Sequence, residues 1–184
     1  MRRWSNNIGR YGAIAIGLHW LMAVLLVALV GLGLYMVRLP DAGYNIVKIA
    51  LILYHKELGI LALVLATLRL GWRVAQQLPM LVGTMPVWEQ VAARLAHLCL
   101  YTLMLALPLT GWVMSSAAGF PVSFLGLGNL PDLVGVDAAL YRELAATHRW
   151  LAYALIALVA GHAGAALRHH FVLDDDTLLK MLRA

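Results

Sequence analysis

Long apolar stretches separated by short polar segments dominate the chain and predict membrane-spanning helices. The apolar stretches occupy residues 13–37, 46–73, 95–118 and 145–171. Each is long enough for a helix that crosses a bilayer, which needs about 20 apolar residues. The pattern predicts an all-α protein, an integral membrane four-helix bundle in which residues 1–184 form a single domain. The second stretch is the least apolar, because Lys48, Lys56 and Glu57 lie in its first half.

Composition agrees with a membrane protein and narrows its chemistry. The 184 residues are 62% hydrophobic and 12% charged, whereas about 25% of residues are charged in a typical soluble domain. The first apolar stretch is about twice the length of a signal-peptide core and lacks a small-residue cleavage site, so we expect a retained helix. The single cysteine, Cys99, excludes an internal disulfide and leaves covalent haem attachment, iron–sulfur clusters and structural zinc without support.

The basic residues indicate how the bundle is oriented. The net charge is +5, and nine of the 14 Lys and Arg residues fall at the end of the predicted bundle that holds both termini, which leaves five at the other end. Cytoplasmic segments carry the excess of Lys and Arg, so both termini are expected to be cytoplasmic. The basic residues lie at helix ends and do not form a patch interleaved with aromatic residues, so no nucleic-acid partner is expected.

Seven histidines supply the candidate chemistry. Ionisable groups inside spans are costly and usually functional, and imidazole is a common ligand of haem iron. His148 and His162 are separated by a stretch of helix that places them within roughly 40° on one face and about 21 Å apart. His19 and His55 lie at matching depths on the first and second spans. The spacing predicts two b-type haems, one bound by His19 with His162 and the other by His55 with His148.

The same histidines also allow a plainer interpretation. A single histidine in a span is more often a hydrogen-bonding or interfacial residue than a ligand. The alternative is a haem-free structural or transport bundle, in which the histidines pair with one another or relay protons. His97 has no further histidine as partner; it is a candidate for a quinone or haem-propionate contact, or for a helix contact. His169 and His170 are expected at the membrane interface.

Three further residues are candidates for the surroundings of the cofactors. Gly59 lies four residues after His55 on the same helix face, where a missing side chain gives space for a flat macrocycle, although glycine also favours helix packing. Arg69 and Arg73 are four residues apart, so both could meet one anionic group such as a haem propionate. Anchoring of the span at a cytoplasmic interface explains the two arginines equally well.

The residues around the histidines resemble the bacterial cytochrome b561 family over nearly the whole chain. The runs that carry the resemblance are GLHWLMAVLLV, YHKELGILALVLATLRLGWR, AHLCLYTLMLALPLTGWVMS and THRWLAYALIALVAGHAGAALRHHFVLDDDTLLKML. They are most similar to the short dihaem members described as superoxide oxidases, which are related to the cytochrome b subunits of nickel–iron hydrogenases.

The resemblance implies a multi-pass protein of the bacterial inner membrane with two haems b at the positions of His19, His55, His148 and His162. It also implies ubiquinone as electron acceptor and superoxide as the periplasmic substrate, which makes the chain a superoxide:ubiquinone oxidoreductase. The alternative is a non-catalytic cytochrome b subunit that links a periplasmic dehydrogenase or hydrogenase, as redox partner, to the quinone pool. The connection from Gly119 to Glu143 is the segment least similar to the family.

Overall fold

A computed structural model describes residues 4–40, 45–80, 85–124 and 126–183. The elements are α1 (Ala13–Met36), α2 (Ile46–Ala75), α3 (Val87–Ala117), α4 (Ala138–Phe171) and a short 3-10 helix (Leu179–Met181). No strand occurs among these residues, apart from one isolated bridge between Ser123 and Asn129. All four α-helices are long and apolar enough to cross a membrane, which confirms the predicted all-α four-helix bundle.

α3 and α4 extend beyond the apolar stretches at 95–118 and 145–171. Both extensions contain charged residues and are therefore weak in hydropathy, but local interactions fix where each helix begins. The side chain of Asp137 accepts hydrogen bonds from the backbone N–H groups of Ala139 and Leu140 at 2.8 and 3.0 Å. This is a regular N-cap, and it starts α4 at Ala138. α3 begins directly after Pro86, whose fixed φ suits the residue before a helix.

The helices alternate in direction, so the bundle has two distinct ends. The terminus end holds the N-terminal segment 4–12, the α2–α3 connection and the tail 172–183, and the loop end holds the α1–α2 and α3–α4 connections. α2 packs between α1 and α3, and α3 packs against α4. The core is apolar and lies near mid-height, with Met22, Ala66 and Met104 in one cluster. Both alanines of α2 in the core, Ala62 and Ala66, are small enough to let neighbouring helices approach closely.

The connection between α3 and α4 is fixed firmly onto the loop end. The indole N–H of Trp112 donates to the carbonyl of Pro131 at 3.1 Å, and the hydroxyl of Ser116 accepts from the N–H of Leu133 at 3.1 Å. From α2, the Lys56 ammonium donates to the carbonyl of Pro121 at 3.1 Å. The segment is therefore an ordered cap over the helix ends.

Segments at the terminus end also pack together. The N–H of Met80 donates to the carbonyl of Ile8 at 2.9 Å, and Lys180 of the tail donates to the carbonyl of Met80 at 2.9 Å. The Trp20 indole of α1 donates to the carbonyl of Met181 at 2.8 Å. Gly12 ends the N-terminal segment, and a side chain there would overlap the backbone of Ser5. The tail is therefore joined to both the α2–α3 connection and α1.

Candidate functional site: two histidine layers

Near the loop end, His55 of α2 faces His148 of α4. Their ring centroids are 6.3 Å apart and the ring planes are inclined by 75°. Glycines of the other two helices lie behind these rings: a Cβ atom at Gly33 would be 3.3 Å from Cε1 of His55, and one at Gly111 would be 3.3 Å from Cε1 of His148. Because Gly33 of α1 and Gly111 of α3 have no side chains, each imidazole has space at its position.

Hydrogen bonding sets the protonation of the His148 ring. The hydroxyl of Thr110 donates to the carbonyl of Leu107 at 2.8 Å, and its oxygen lies 3.0 Å from Nδ1 of His148. With the Thr110 proton directed at Leu107, its oxygen is an acceptor, and we assign the N–H of His148 to Nδ1. Nε2 of a neutral His148 then has a free lone pair. His55 differs, because its Nδ1 is buried without a hydrogen-bond partner among the described residues.

Near the terminus end, His19 of α1 faces His162 of α4. The ring centroids are 6.2 Å apart and the planes are inclined by 64°. His97 of α3 adds a third imidazole, whose centroid is 5.4 Å from that of His162. The sequence did not predict this second contact of His162, since His97 lies at the start of an apolar stretch and its depth relative to α4 depends on how the helices pack.

Arg69 completes this second group from α2. Its Nη2 lies 2.8 Å from Nδ1 of His19. Because a guanidinium only donates hydrogen bonds, Nδ1 of His19 is the acceptor. A neutral His19 then carries its proton on Nε2, which is the opposite tautomer to that of His148.

Arg73 and two tyrosines lie beside Arg69. Both guanidinium groups lie 5.5 Å from the centroid of the Tyr101 ring. Tyr11, just before α1, contacts Arg73; burial raises the pKa of Tyr11, and Arg73 opposes the rise. Neither arginine forms a salt bridge within the part of the chain that the structure describes. Two positive charges with no carboxylate partner there make this side of the bundle attractive to an anionic group.

The residues of the two histidine sites recur at one spacing along every helix and so form two layers. Each helix carries two such residues, separated by the same number of positions: His19 and Gly33 on α1, His55 and Arg69 on α2, His97 and Gly111 on α3, and His148 and His162 on α4. Helices in a bundle keep one face inward with a period of seven residues, and this separation equals two such repeats. We call the residues near the two ends the terminus layer (His19, Arg69, His97, His162) and the loop layer (Gly33, His55, Gly111, His148).

An apolar layer separates the two, at the intermediate positions of the same repeat. It consists of Leu26, Ala62, Met104 and Leu155. Ala62, Met104 and Leu155 are at most 4% exposed, and Leu26 packs against the cluster of Met22, Ala66 and Met104. The two histidine layers are therefore distinct sites with a buried apolar layer between them.

The remaining predicted residues have mixed outcomes. A Cβ atom at Gly59 would have no atom of another segment within 4 Å, so there is space beside this residue. His169 lies at the terminus end of α4, where it packs against carboxylates and is only 8% exposed; the sequence did not predict this burial, and its position at the membrane interface stays a prediction. Sequence reasoning also missed Gly33 and Gly111. Their separation of two seven-residue repeats from His19 and His97 is the signal that identifies them.

Comparison with known proteins assigns the family. The family model described as prokaryotic cytochrome b561 matches residues 10–184. The chain is similar to cytochrome b561 homolog 2 of Escherichia coli (strain K12), with 36% identity over 97% of this chain and 94% of the relative. It is also similar to the probable superoxide oxidase CybB of Yersinia pestis, with 28% identity over 94% of this chain and 96% of that protein. A third relative, cytochrome b562 of Cereibacter sphaeroides, is 33% identical over 94% of this chain and 95% of its own length.

The match covers all four helices and both histidine layers. Members of this family bind haem b and transfer electrons, and the four helices make the chain a multi-pass bacterial membrane protein. This protein is a membrane electron carrier that belongs to the prokaryotic cytochrome b561 family.

Proposed function

We propose that the chain binds two haems b and oxidises superoxide at the loop end while it reduces ubiquinone at the terminus end. The observation that carries the proposal is the presence of two facing histidine pairs, with ring centroids 6.2 and 6.3 Å apart. Two imidazoles that bind one metal ion from opposite sides have centroids roughly 6 Å apart, because each nitrogen lies about 2 Å from the metal and about 1 Å from its ring centre. Both pairs fit that separation.

In this proposal His55 and His148 hold the haem of the loop layer. The Nδ1–H of His148 is already directed at Thr110, so its Nε2 is available as a ligand; such outer hydrogen bonds commonly fix the orientation of a ligating imidazole. Gly33 and Gly111 keep both rings in place from behind. Gly59, with open space beside it, is proposed to line the macrocycle.

His19 and His162 are proposed to hold the haem of the terminus layer. The hydrogen bond from Arg69 places the His19 proton on Nε2, so ligation through Nε2 requires that Arg69 donate elsewhere. A haem propionate is a suitable acceptor, and Arg73 lies close enough to share it, since both arginines contact Tyr101. We assign His97 to the quinone or to a propionate and not to the iron, because His19 already completes a pair with His162.

Two observations support superoxide as the substrate at the loop end: the charges there and the name of one relative. Lys56, Arg142 and Arg149 are close in sequence to the two histidines of the loop layer, and cations beside that layer would attract a small anion. The carboxylates of the same end (Glu57, Asp132, Asp137 and Glu143) balance them in net charge, so the attraction depends on the local arrangement. Lys56 is held against the cap by its hydrogen bond to Pro121. One relative is named as a probable superoxide oxidase, which supports superoxide as the anion. The excess of Lys and Arg at the terminus end supports cytoplasmic termini and an inner-membrane location.

The overall reaction balances without a further redox partner. Two superoxide ions lose one electron each and become dioxygen, and one ubiquinone gains two electrons and two protons and becomes ubiquinol. Haem supplies the one-electron carriers when bound. The protein contributes ligands, the apolar layer that separates the two sites, and groups that bind anions and move protons.

Haem content and turnover of the purified chain test the proposal together. We expect about two b-type haems per chain by pyridine haemochrome, and reduction of a soluble ubiquinone when superoxide is supplied to the chain alone. Absence of haem after haem-replete expression would contradict the ligand assignment. Two haems with no superoxide oxidation, combined with quinone reduction that requires a copurifying dehydrogenase or hydrogenase, would instead support the alternative of an electron-carrier subunit.

A further inference from the structure

The two histidine layers differ in the charge that surrounds them. In the terminus layer, Nη2 of Arg69 lies 2.8 Å from Nδ1 of His19, and the same guanidinium interacts electrostatically with all three histidines of that layer. Among the described residues, no lysine or arginine interacts in this way with His55 or His148 of the loop layer. Positive charge is therefore concentrated at one of the two proposed haem sites.

Arg69 lies close to the position between the two proposed ligands of the terminus layer. The rings of His19 and His162 have centroids 6.2 Å apart. Since Nη2 of Arg69 is 2.8 Å from a nitrogen of the nearer ring, it lies within about 7 Å of the midpoint between the two rings. Donation to a haem propionate in place of His19 keeps this charge in the same layer.

Arg73 adds a second positive charge on the same side of the bundle. The guanidinium groups of Arg69 and Arg73 each lie 5.5 Å from the centroid of the Tyr101 ring. Both arginines belong to the spanning helix α2, and a charge acts more strongly in surroundings of low dielectric constant than in water. Within the described ranges neither arginine forms a salt bridge, so no carboxylate there offsets their field.

The cations nearest in sequence to the loop layer are directed elsewhere. Lys56 and Arg149 each follow a histidine of this layer. The Lys56 ammonium donates to the carbonyl of Pro121 in the cap at 3.1 Å and is attracted by Asp132. The Arg149 side chain is exposed on the surface of the bundle. Neither side chain therefore places a positive charge between the helices of the loop layer.

Hydrogen bonding to the proposed ligands adds to the difference between the layers. Thr110 accepts the Nδ1–H of His148, and an acceptor at this position makes a ligating imidazole more basic. A more basic ligand stabilises ferric iron relative to ferrous iron. His19 faces a guanidinium, which only donates hydrogen bonds and gives no such effect.

We propose that Arg69, with Arg73, gives the haem of the terminus layer the higher midpoint potential, while Thr110 lowers the potential of the loop-layer haem. The inference rests on the proposed function, because it requires a haem in each layer. Reduction adds one electron to the iron, so a nearby cation favours the reduced state and an electron-donating ligand favours the oxidised state. One electron at a time then passes from the loop layer to the terminus layer in the favourable direction, with no bond made or broken.

The experiment is a redox titration of the purified two-haem protein at fixed pH, followed by absorbance and by electron paramagnetic resonance of poised samples. The ferric signal that is absent in His148→Ala identifies the loop-layer haem, so each haem receives its own midpoint potential. Arg69→Gln removes the charge, and Arg69→Lys retains it. Arg94→Gln is the matched control, because Arg94 is an exposed arginine at the same end of the bundle and its loss changes the net charge equally.

We expect the terminus-layer haem of the wild type to have the higher potential, and Arg69→Gln to lower it. A unit charge that acts over about 7 Å at an effective dielectric constant of about 20 changes the equilibrium constant for reduction by at least roughly tenfold. For a one-electron couple, tenfold corresponds to about 59 mV. Arg69→Lys and Arg94→Gln should keep the wild-type potentials, and Thr110→Val should raise the potential of the loop-layer haem alone.

Two results would overturn the inference. One is a wild-type protein in which the loop-layer haem has an equal or higher potential. The other is a shift in Arg69→Gln that is no larger than the shift in Arg94→Gln. If Arg69→Gln does not retain two haems, Arg73→Gln decides, because Arg73 lies about 6 Å further along α2 from the proposed ligands. It should lower the potential of the same haem, and an unchanged potential would again overturn the inference.

Haem content and turnover of the wild type separate this inference from the proposed function. Fewer than two haems per chain would contradict the proposed ligand set and remove the basis of the inference. Two haems and reduction of ubiquinone by superoxide, together with the reverse order of potentials, would leave the proposed function intact and overturn the inference alone.

Discussion

Replacing Gly33 by alanine gives the sharpest test of the loop layer, because it introduces one methyl group at a known distance from one proposed ligand. The new Cβ would lie 3.3 Å from Cε1 and 3.9 Å from Nδ1 of His55. The shorter distance is tighter than ordinary contact, so the imidazole must shift by a few tenths of an ångström. A shift of this size is a rotation well below 30°, so the roughly 0.5–1.5 kcal/mol that a 30° departure from a rotamer costs is an upper limit. Since about 1.4 kcal/mol corresponds to tenfold in binding, haem at the loop layer should bind more weakly by at most about tenfold.

Gly31→Ala is the control, because Gly31 lies on the same helix and a Cβ atom there would have no atom of another segment within 4 Å. Both substitutions gain the roughly 0.5–1 kcal/mol by which alanine is favoured over glycine inside a helix, so their difference isolates the contact with His55. The assay is the rate of haem loss to an excess of a haem-scavenging protein, followed together with the low-spin ferric haem signals by electron paramagnetic resonance. The signal that is absent in His148→Ala identifies the loop-layer haem. Equal haem loss and identical spectra in Gly33→Ala and Gly31→Ala would refute a backing role for Gly33.

Four further predictions address the ligand set and the tail. His162→Ala should remove only the terminus-layer haem and His148→Ala only the loop-layer haem, by pyridine haemochrome; loss of both or neither in a folded variant contradicts the pairing. His97→Ala should keep two haems, and loss of one would make His97 a ligand. Thr110→Val should remove the acceptor for His148 and shift the midpoint potential of one haem only; no shift would contradict the assigned tautomer. Asp175 has a lowered pKa, so its stabilisation of the tail is present above the unfolded-state pKa and is lost as the pH falls through the lower folded-state value. The protection of residues 172–183 against hydrogen exchange, corrected for the pH dependence of the intrinsic exchange rate, should fall there in wild type and stay constant in Asp175→Asn.

The sequence by itself determined the helices and much of the pairing. Apolar stretches of sufficient length can only be helices in a bilayer, where every backbone polar group must be hydrogen-bonded within the segment. The separation between His148 and His162 is also set locally, because two seven-residue repeats return to the same helix face. With alternating helix directions, His19 and His55 then had to lie at the two ends of the bundle, and the structure brings them to His162 and His148 respectively.

Only the tertiary structure decided which groups complete each layer. The contact of His97 with His162 and the hydrogen bond from Arg69 to His19 depend on the rotation and height of neighbouring helices, which no local pattern fixes. Gly33 gains a role only because His55 of another helix fills the space beside it. The burial of His169 was not predicted for the same reason: it comes from Glu89, which lies far earlier in the chain on α3, and from the return of the tail. Helix periodicity is a property of consecutive residues, whereas contacts between helices depend on packing of the whole chain.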